Sequence, residues 1–469
     1  MDLSRFPYLQ GNYAPVAEEC DWGHDELRIE GRVPDTLKGA FLRNGPNPAY
    51  EPNHYVYPLD GDGMVHAVYF DGGRVHYRNR WVQTPAFKAE QRAGRRIYGS
   101  IGRPLPVPEE VIRDGGDPSP YKNTANTNIL QHGGHLLALW EGGWPHELTP
   151  ALDTVGPYSA GGLLKPGDNL SAHPKICPDT GEMVTCSQPF DRPMYIVQVF
   201  DRAGRHVRRI EAALPWKGII HDLQITRHHV VIFCAPVVTN PALLMQGKFP
   251  MQWREDLPMK IGVIPRAGGA ARWFEAEPFF SWHFCNGFED GSRIVIDYVW
   301  IAKLPFAMEM GTGVESQPRR LYRLTLDTAT GNVTNECVDE LFCEFTRVDD
   351  RRCGQRYRYG YAAASTMARQ SEYHGYNATA RFDLDSGEVV LHEHGEDANA
   401  GEPVFVPNGE GETDGYVMAF VTAEGKSSLV VLDAAQPAAE PVASIHIPTR
   451  VPNGFHANWA EGLSPPGRA

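Results

Sequence analysis

What this 469-residue chain lacks narrows its chemistry before any motif is found. Its eight cysteines form no CxxC pair, which removes the common zinc-ribbon and thioredoxin-like frameworks. Cys20, Cys177, Cys186, Cys234, Cys285, Cys337, Cys343 and Cys353 lie mostly in apolar runs such as VVIFCAP, and buried free thiols in a reducing compartment are expected. No apolar run is long enough to span a bilayer. The opening MDLSRFPYLQ has no charged start followed by an apolar stretch, so no secretory leader is expected and a cytoplasmic location follows. Lys and Arg form no block and the net charge is −14, which argues against a nucleic-acid surface. The absence of GxSxG, of a P-loop and of HExxH excludes the simplest serine-hydrolase, nucleotide-hydrolysing and zincin readings. The Asp-Gly-Asp-Gly of LDGDGMVH (Leu59 to His66) lacks the later ligands of a calcium loop and reads as a turn.

What is abundant points to short strands. With 47 Gly and 38 Pro the composition is turn-rich and unlike a helical bundle. An apolar alternating run, a turn and a second run recur as AVYFDGGRVHYRNR, HPKICPDTGEMVTC, YIVQVFDRAGRHVRRI, LYRLTLDTATGNVTNE, ARFDLDSGEVVLHE and, degenerately, LVVLDAAQPAAEPVASIHI. Each predicts a β-hairpin. No Ser/Gly-rich linker separates them, so radial repetition of small sheets in one domain over 1–469 is expected, against the alternative of unrelated β-sandwiches. Residues 84–121 carry Pro and basic residues without strand patterning, and an irregular insertion with a short helix over the active site is expected there.

Four histidines stand in distant segments: His173 in SAHPK, His221 in IIHDLQIT, His283 in SWHFCNGFED and His456 in NGFHANW. No two have the spacing of a helical metal pair, so a shared ion requires a fold that gathers distant segments at one axis. Each lies among apolar or small residues, where an unpaired imidazole is costly to bury. His228, His229, His392 and His394 have polar neighbours and read as surface residues. A metal held by four neutral imidazoles keeps its full charge, keeps up to two positions open and has no thiolate; iron(II) acting on dioxygen suits it better than hydrolysis. Imidazole ligands need their second nitrogen fixed. Glu141 after LLALW, Glu344 in FCEFTR and Glu402 in GEPVFVP have apolar neighbours suited to that task, the alternative being surface salt bridges.

These segments, with GAFLRNGPNP, LDGDGMVHAVYF, NTANTNILQHGGHLLALWEGGWP and EFTRVD, occur in an order in which the chain resembles the carotenoid cleavage oxygenases over nearly its full length. The resemblance implies an all-β, seven-bladed β-propeller with a dome of loops and helix over one face. It implies one Fe(2+) per chain on the axis, held by His173, His221, His283 and His456, with Glu141, Glu344 and Glu402 behind the ligands. It further implies cleavage of a conjugated C=C bond by O2 to two aldehydes. Thr127 matches a position beside an open metal position in relatives and is expected to restrict small-ligand access, or to be a strand hydroxyl.

An apolar pocket is expected from Trp140, Trp282 and Phe284. Trp282 stands where Phe is commoner and Ala457 where Gly is usual. The stilbene-cleaving branch typically has a Lys before the first glutamate and a Tyr in the insertion; this chain has Trp140 and Ile101, which favours a carotenoid or apocarotenoid. Residues 240–253 (NPALLMQGKFPMQW) read either as core or as an apolar patch that dips into a membrane, consistent with a lipophilic substrate. A monomer is expected, with a non-catalytic scaffold or an isomerase as the competing classes.

Overall fold

The computed structural model describes residues 6, 9–53, 60–101, 103–165, 168–189, 191–246, 250–304, 317–367 and 375–464. Seven antiparallel sheets, each of at least four strands, follow one another along the chain, with one extra two-stranded ribbon. The inner-to-outer order is simplest in blade 5: Phe284–Asp290, Arg293–Trp300, Arg320–Asp327, Val333–Asp339. Blade 2 starts at Asn128–His132, blade 3 at Lys175–Ile176, blade 4 at Gln224–Ile225 and blade 6 at Phe342–Arg347. Blade 7 has Asn399–Ala400 and Val404–Pro407 on its inner side. Each of the six hairpins expected from the sequence pairs as such.

The blades close into a ring because each face of each sheet is buried against a neighbour. Phe41 points into the core shared with blade 7, beside Val404 and Phe420. The next residue, Leu42, points the other way, into the core shared with Ile129 and Ala138 of blade 2. Equivalent cores lie between blades 2 and 3, 3 and 4, 4 and 5, 5 and 6, and 6 and 7. Central strands such as Gly63–Asp71 therefore read as continuous apolar runs, whereas the outer His206–Ala213 alternates toward water. Closure is by both ends of the chain: Ala457–Glu461 is the inner strand of blade 1, paired with Lys38–Pro46, and Arg28–Gly31 is the outer strand of blade 7.

The connections sort by length onto the two ends of the ring. Gly72 and Gly73, at φ 56° and 84°, supply the left-handed backbone of a two-residue hairpin turn on one end. Pro46, Trp81, Cys234 and Trp300, the strand ends from which the long connections depart, lie at the opposite end, from which the inner strands are entered. The insertion is less irregular than its composition predicts. It contains the helices Pro85–Ala93 and Glu109–Arg113, the first capped by Thr84, whose Oγ1 accepts from Phe87 N, and ended by Gly94.

Two expectations need correction. Cys337 is exposed, and Cys20 and Cys353 are partly so, because Cys337 sits on an outer strand with no further blade strand to cover it. His392 and His394 are half-buried rather than surface residues, and His394 Nε2 bonds Thr379 Oγ1 at 2.9 Å. Asp60 and Gly61 form the turn expected in LDGDGMVH, and the carboxylates there are engaged: Asp60 Oδ1 accepts from Ile101 N at 2.8 Å, and Asp62 pairs with Lys122. Lys122 also meets Glu90 at 2.6 Å, so a buried charge cluster ties the insertion helix to Asp62, at the entry to Gly63–Asp71 of blade 1.

Candidate metal centre

Each of the four histidines stands just before the inner strand of a blade. His173 precedes Lys175–Ile176, His221 precedes Gln224–Ile225, His283 abuts Phe284–Asp290 and His456 abuts Ala457–Glu461. Equivalent positions in the repeat place all four at one end of the axis, where one nitrogen from each lies within 4.8 Å of the others. His173 Nε2 and His221 Nε2 are 2.9 Å apart, and the ring centroids of His173 and His456 are 4.5 Å apart.

The remaining blades supply carboxylates. Glu141 from blade 2 accepts from His221 Nδ1 at 2.9 Å, Glu344 from blade 6 accepts from His283 Nδ1 at 2.6 Å, and Glu402 from blade 7 accepts from His456 Nδ1 at 3.0 Å. Every blade thus contributes one residue. Glu344 and Glu402 are almost fully buried, with side-chain exposures of 1% and 3%, whereas Glu141 keeps 28%.

The fit to a cation follows from this pairing. A carboxylate on Nδ1 fixes that nitrogen as the donor and leaves the Nε2 lone pair pointing inward. His283 Nε2 is buried and has no hydrogen-bond partner among the described residues, an acceptor that a metal would satisfy. Burial, reinforced by the three neighbouring imidazoles, holds the His173 pKa well below its usual value, so this ring is neutral and ready to donate. Burial works against ionisation of Glu344, but His283 and Arg319 outweigh it and hold its carboxyl at about 2. Burial likewise opposes ionisation of Glu402, and His456 and Arg347 outweigh it and lower its pKa. Four imidazoles, three of them backed by a carboxylate, suit a divalent cation of borderline softness; the absence of a thiolate from this cluster among the described residues sets the site apart from structural zinc.

The apolar surroundings differ in part from expectation. Trp282 packs edge-on against the His221 ring with centroids 4.8 Å apart. Trp140 is buried over Gly142 and Gly143, where a Cβ at Gly142 would come within 2.4 Å of the indole, so the WEGG sequence lets the loop fold under the ring that precedes Glu141. Thr127 lies beside the ligand set: its carbonyl accepts from His456 N at 3.2 Å and its hydroxyl donates to Asn126 Oδ1. Phe284, expected in the pocket, is instead packed between blades 4 and 5 against Phe233, 4.7 Å between centroids, because strand alternation turns it away from His283. Ile101 is half-buried in the insertion, and its backbone N–H donates to Asp60 rather than facing the imidazole cluster.

Two residues at the site were not singled out from the sequence. Phe345 follows Glu344 at a β-bulge, where the register between Phe342–Arg347 and Tyr359–Ser365 shifts. Its φ of 54° is left-handed, and the bulge turns its ring onto His283 and His456. Arg347 Nη1 reaches Glu402 at 3.3 Å and the Ala457 carbonyl at 2.6 Å, and Nη2 donates to Asn458 Oδ1, joining blades 6, 7 and 1 behind His456. The EFTR quartet that carries both was visible, but which of its side chains face the axis depends on the bulge.

Comparison with known proteins agrees with this arrangement. The sequence profile of the family described as retinal pigment epithelial membrane protein matches residues 13–461. A carotenoid cleavage oxygenase of Mycobacterium tuberculosis is 33% identical, covering 97% of this chain and 98% of the relative. The apocarotenoid-15,15'-oxygenase of Synechocystis is also 33% identical, covering 97% and 96%. Cobalt-substituted Synechocystis ACO superposes with a TM-score of 0.87 at 32% identity over 96% of this chain and 98% of that one. The lignostilbene dioxygenase of Pseudomonas brassicacearum gives 0.87 at 30% identity over 98% and 99%. Other structures of the Synechocystis enzyme carry substitutions at a threonine, a tryptophan and the glutamate after it, with the separations found here between Thr127, Trp140 and Glu141.

Proposed function

The chain belongs to the carotenoid cleavage oxygenase family, and from that premise we propose that it is an iron(II)-dependent dioxygenase that cleaves a conjugated C=C bond of an apocarotenoid or carotenoid. One alkene and one O2 give two carbonyl products, so no external reductant is consumed. The observation that carries the reading is the convergence of His173, His221, His283 and His456 with a glutamate behind three of them. Bound iron(II) would supply the dioxygen chemistry.

The chain's own residues prepare that site. Glu141, Glu344 and Glu402 accept from Nδ1 and keep the imidazoles oriented with Nε2 facing the axis. Thr127, next to the His456 strand, narrows the space left for a small ligand. Trp282 and Phe345 present aromatic surface against the imidazoles and exclude water from the reacting alkene. Trp140 and Ile101 offer no ionisable group to a phenol, and burying an unpaired phenolate would be costly; this favours the polyene over a hydroxystilbene.

A lipophilic substrate must be drawn from a lipid phase. The ribbon of Val237–Thr239 and Met251–Trp253 emerges at the imidazole end, and Met245 beside it is 90% exposed. Part of the 240–253 patch, residues 247–249, lies outside the described residues. We assign this ribbon to peripheral membrane contact by an otherwise cytoplasmic monomer. No described helix is long and apolar enough to cross a membrane.

The test is aerobic incubation of the iron(II)-loaded protein with apocarotenals, full-length carotenoids and hydroxystilbenes, with the aldehydes identified by mass. Apocarotenal or carotenoid cleavage is expected. Cleavage of hydroxystilbenes alone would overturn the substrate assignment in favour of the lignostilbene-type activity.

A further inference from the structure

Asp222 follows the ligand His221 and is almost fully buried, with 2% of its side chain exposed. All its described donors come from the segments that carry ligands. Oδ2 accepts from the backbone N–H of Phe284, the residue after His283, at 3.0 Å. Oδ1 pairs with Lys175 Nζ at 2.9 Å, two residues after His173, and accepts from Leu223 N at 2.7 Å, two residues after His221. One carboxylate therefore bridges the inner strands of blades 3, 4 and 5, which hold three of the four imidazoles. Other hydrogen bonds also cross these blades, such as Ile220 N to Gln188 Oε1 and the Glu289 carboxylate to Thr226 and His229, but each of these joins only two of the three.

We infer that Asp222 is a positioning residue of the metal centre, locking the His173, His221 and His283 strands in one register so that their Nε2 atoms converge. The inference deepens the metal-centre reading and rests on it. The argument is geometric. A displacement of Phe284 N carries His283 with it through the adjoining peptide, and a displacement of Lys175 carries the turn that bears His173. Ligand sets tolerate misplacement of only about 0.5 Å before function is lost. A carboxylate that served stability alone could take its donors from any buried strand. Asp297 of blade 5 is such a case: buried, paired with Arg323 at 2.8 Å and Tyr357 at 2.6 Å, and distant in sequence from every ligand.

The experiment titrates cobalt(II) into the apoprotein, wild type and variants, following the visible absorption bands, chelator-competed affinity and the melting temperature of the metal-free form. Wild type is expected to bind one cobalt per chain. Asp222→Asn is expected to bind about tenfold or more weakly, with altered bands. Asp297→Asn is expected to melt lower with unchanged affinity and bands. An Asp222→Asn protein that is folded and binds cobalt as wild type does would overturn the inference, as would an equal loss in Asp297→Asn. If Asp222→Asn does not fold, Lys175→Met decides: it cuts only the tie to the His173 strand, and wild-type affinity in that variant overturns the inference. A wild-type protein that takes up no cobalt would instead overturn the metal-centre reading itself, and this inference with it.

Discussion

The ring of Phe345 lies nearly parallel to the imidazole of His283, with centroids 5.5 Å apart and planes 24° apart. It reaches that place only because its backbone takes a φ of 54°, a region unfavourable for a bulky L-residue. The strain should show in a reversed substitution order. Phe345→Gly is expected to be more stable than Phe345→Ala by about 1 kcal/mol, opposite to the usual order within a strand. Denaturant midpoints of the two variants check it; Ala as the more stable would contradict a strained backbone.

The three glutamates should not be equivalent. Gln substitution at Glu344 or Glu402, both nearly inaccessible, is expected to weaken metal affinity by about 10- to 100-fold, while Glu141→Gln, 28% exposed and open to water, should fall at the low end. Chelator competition gives the order. A larger loss at Glu141 than at Glu344 would refute the ranking by burial.

Lys122 holds Glu90 and Asp62 in a cluster where its side chain is 2% exposed and that of Glu90 is fully buried. Lys122→Met leaves two carboxylates without that cation, and a loss of about 3–5 kcal/mol is expected. Equilibrium unfolding measures it, and the double variant Lys122→Met, Glu90→Gln should recover part of the loss.

Acid should weaken the fold through buried neutral histidines. Burial lowers the His146 pKa to about 4, against an ordinary value of 6.5. The unfolded chain therefore takes up a proton below 6.5 that the folded chain refuses until about 4. Stability is full above the upper value and falls with pH through that window, by about 1.4 kcal/mol per unit for this group. His146→Leu should flatten the stability profile between these limits; an unchanged slope would show that His146 does not titrate there.

The site was legible from the sequence where chemistry and repeat coincided. His173, His221, His283 and His456 share apolar settings in distant segments, and the family resemblance joined them into one ligand set on an axis. Phe284 misled because adjacency in sequence to His283 was read as adjacency in space, whereas alternate residues of a strand face opposite sides. Phe345 and Arg347 escaped because a bulge resets which residues face inward. Asp222 escaped because its partners, Lys175 and Phe284, lie in other blades.

By itself the sequence determined the all-β hairpin repeat, the metal-ligating residue types and the lack of competing catalytic motifs, since periodicity, turn chemistry and ligand chemistry are local properties. Only the tertiary structure decided which glutamate faces which imidazole, which aromatic rings touch the ligands and how the charged bridges tie the blades. Those relationships join residues from different blades, and their geometry is set by ring closure and strand register, which no local stretch of chain encodes alone.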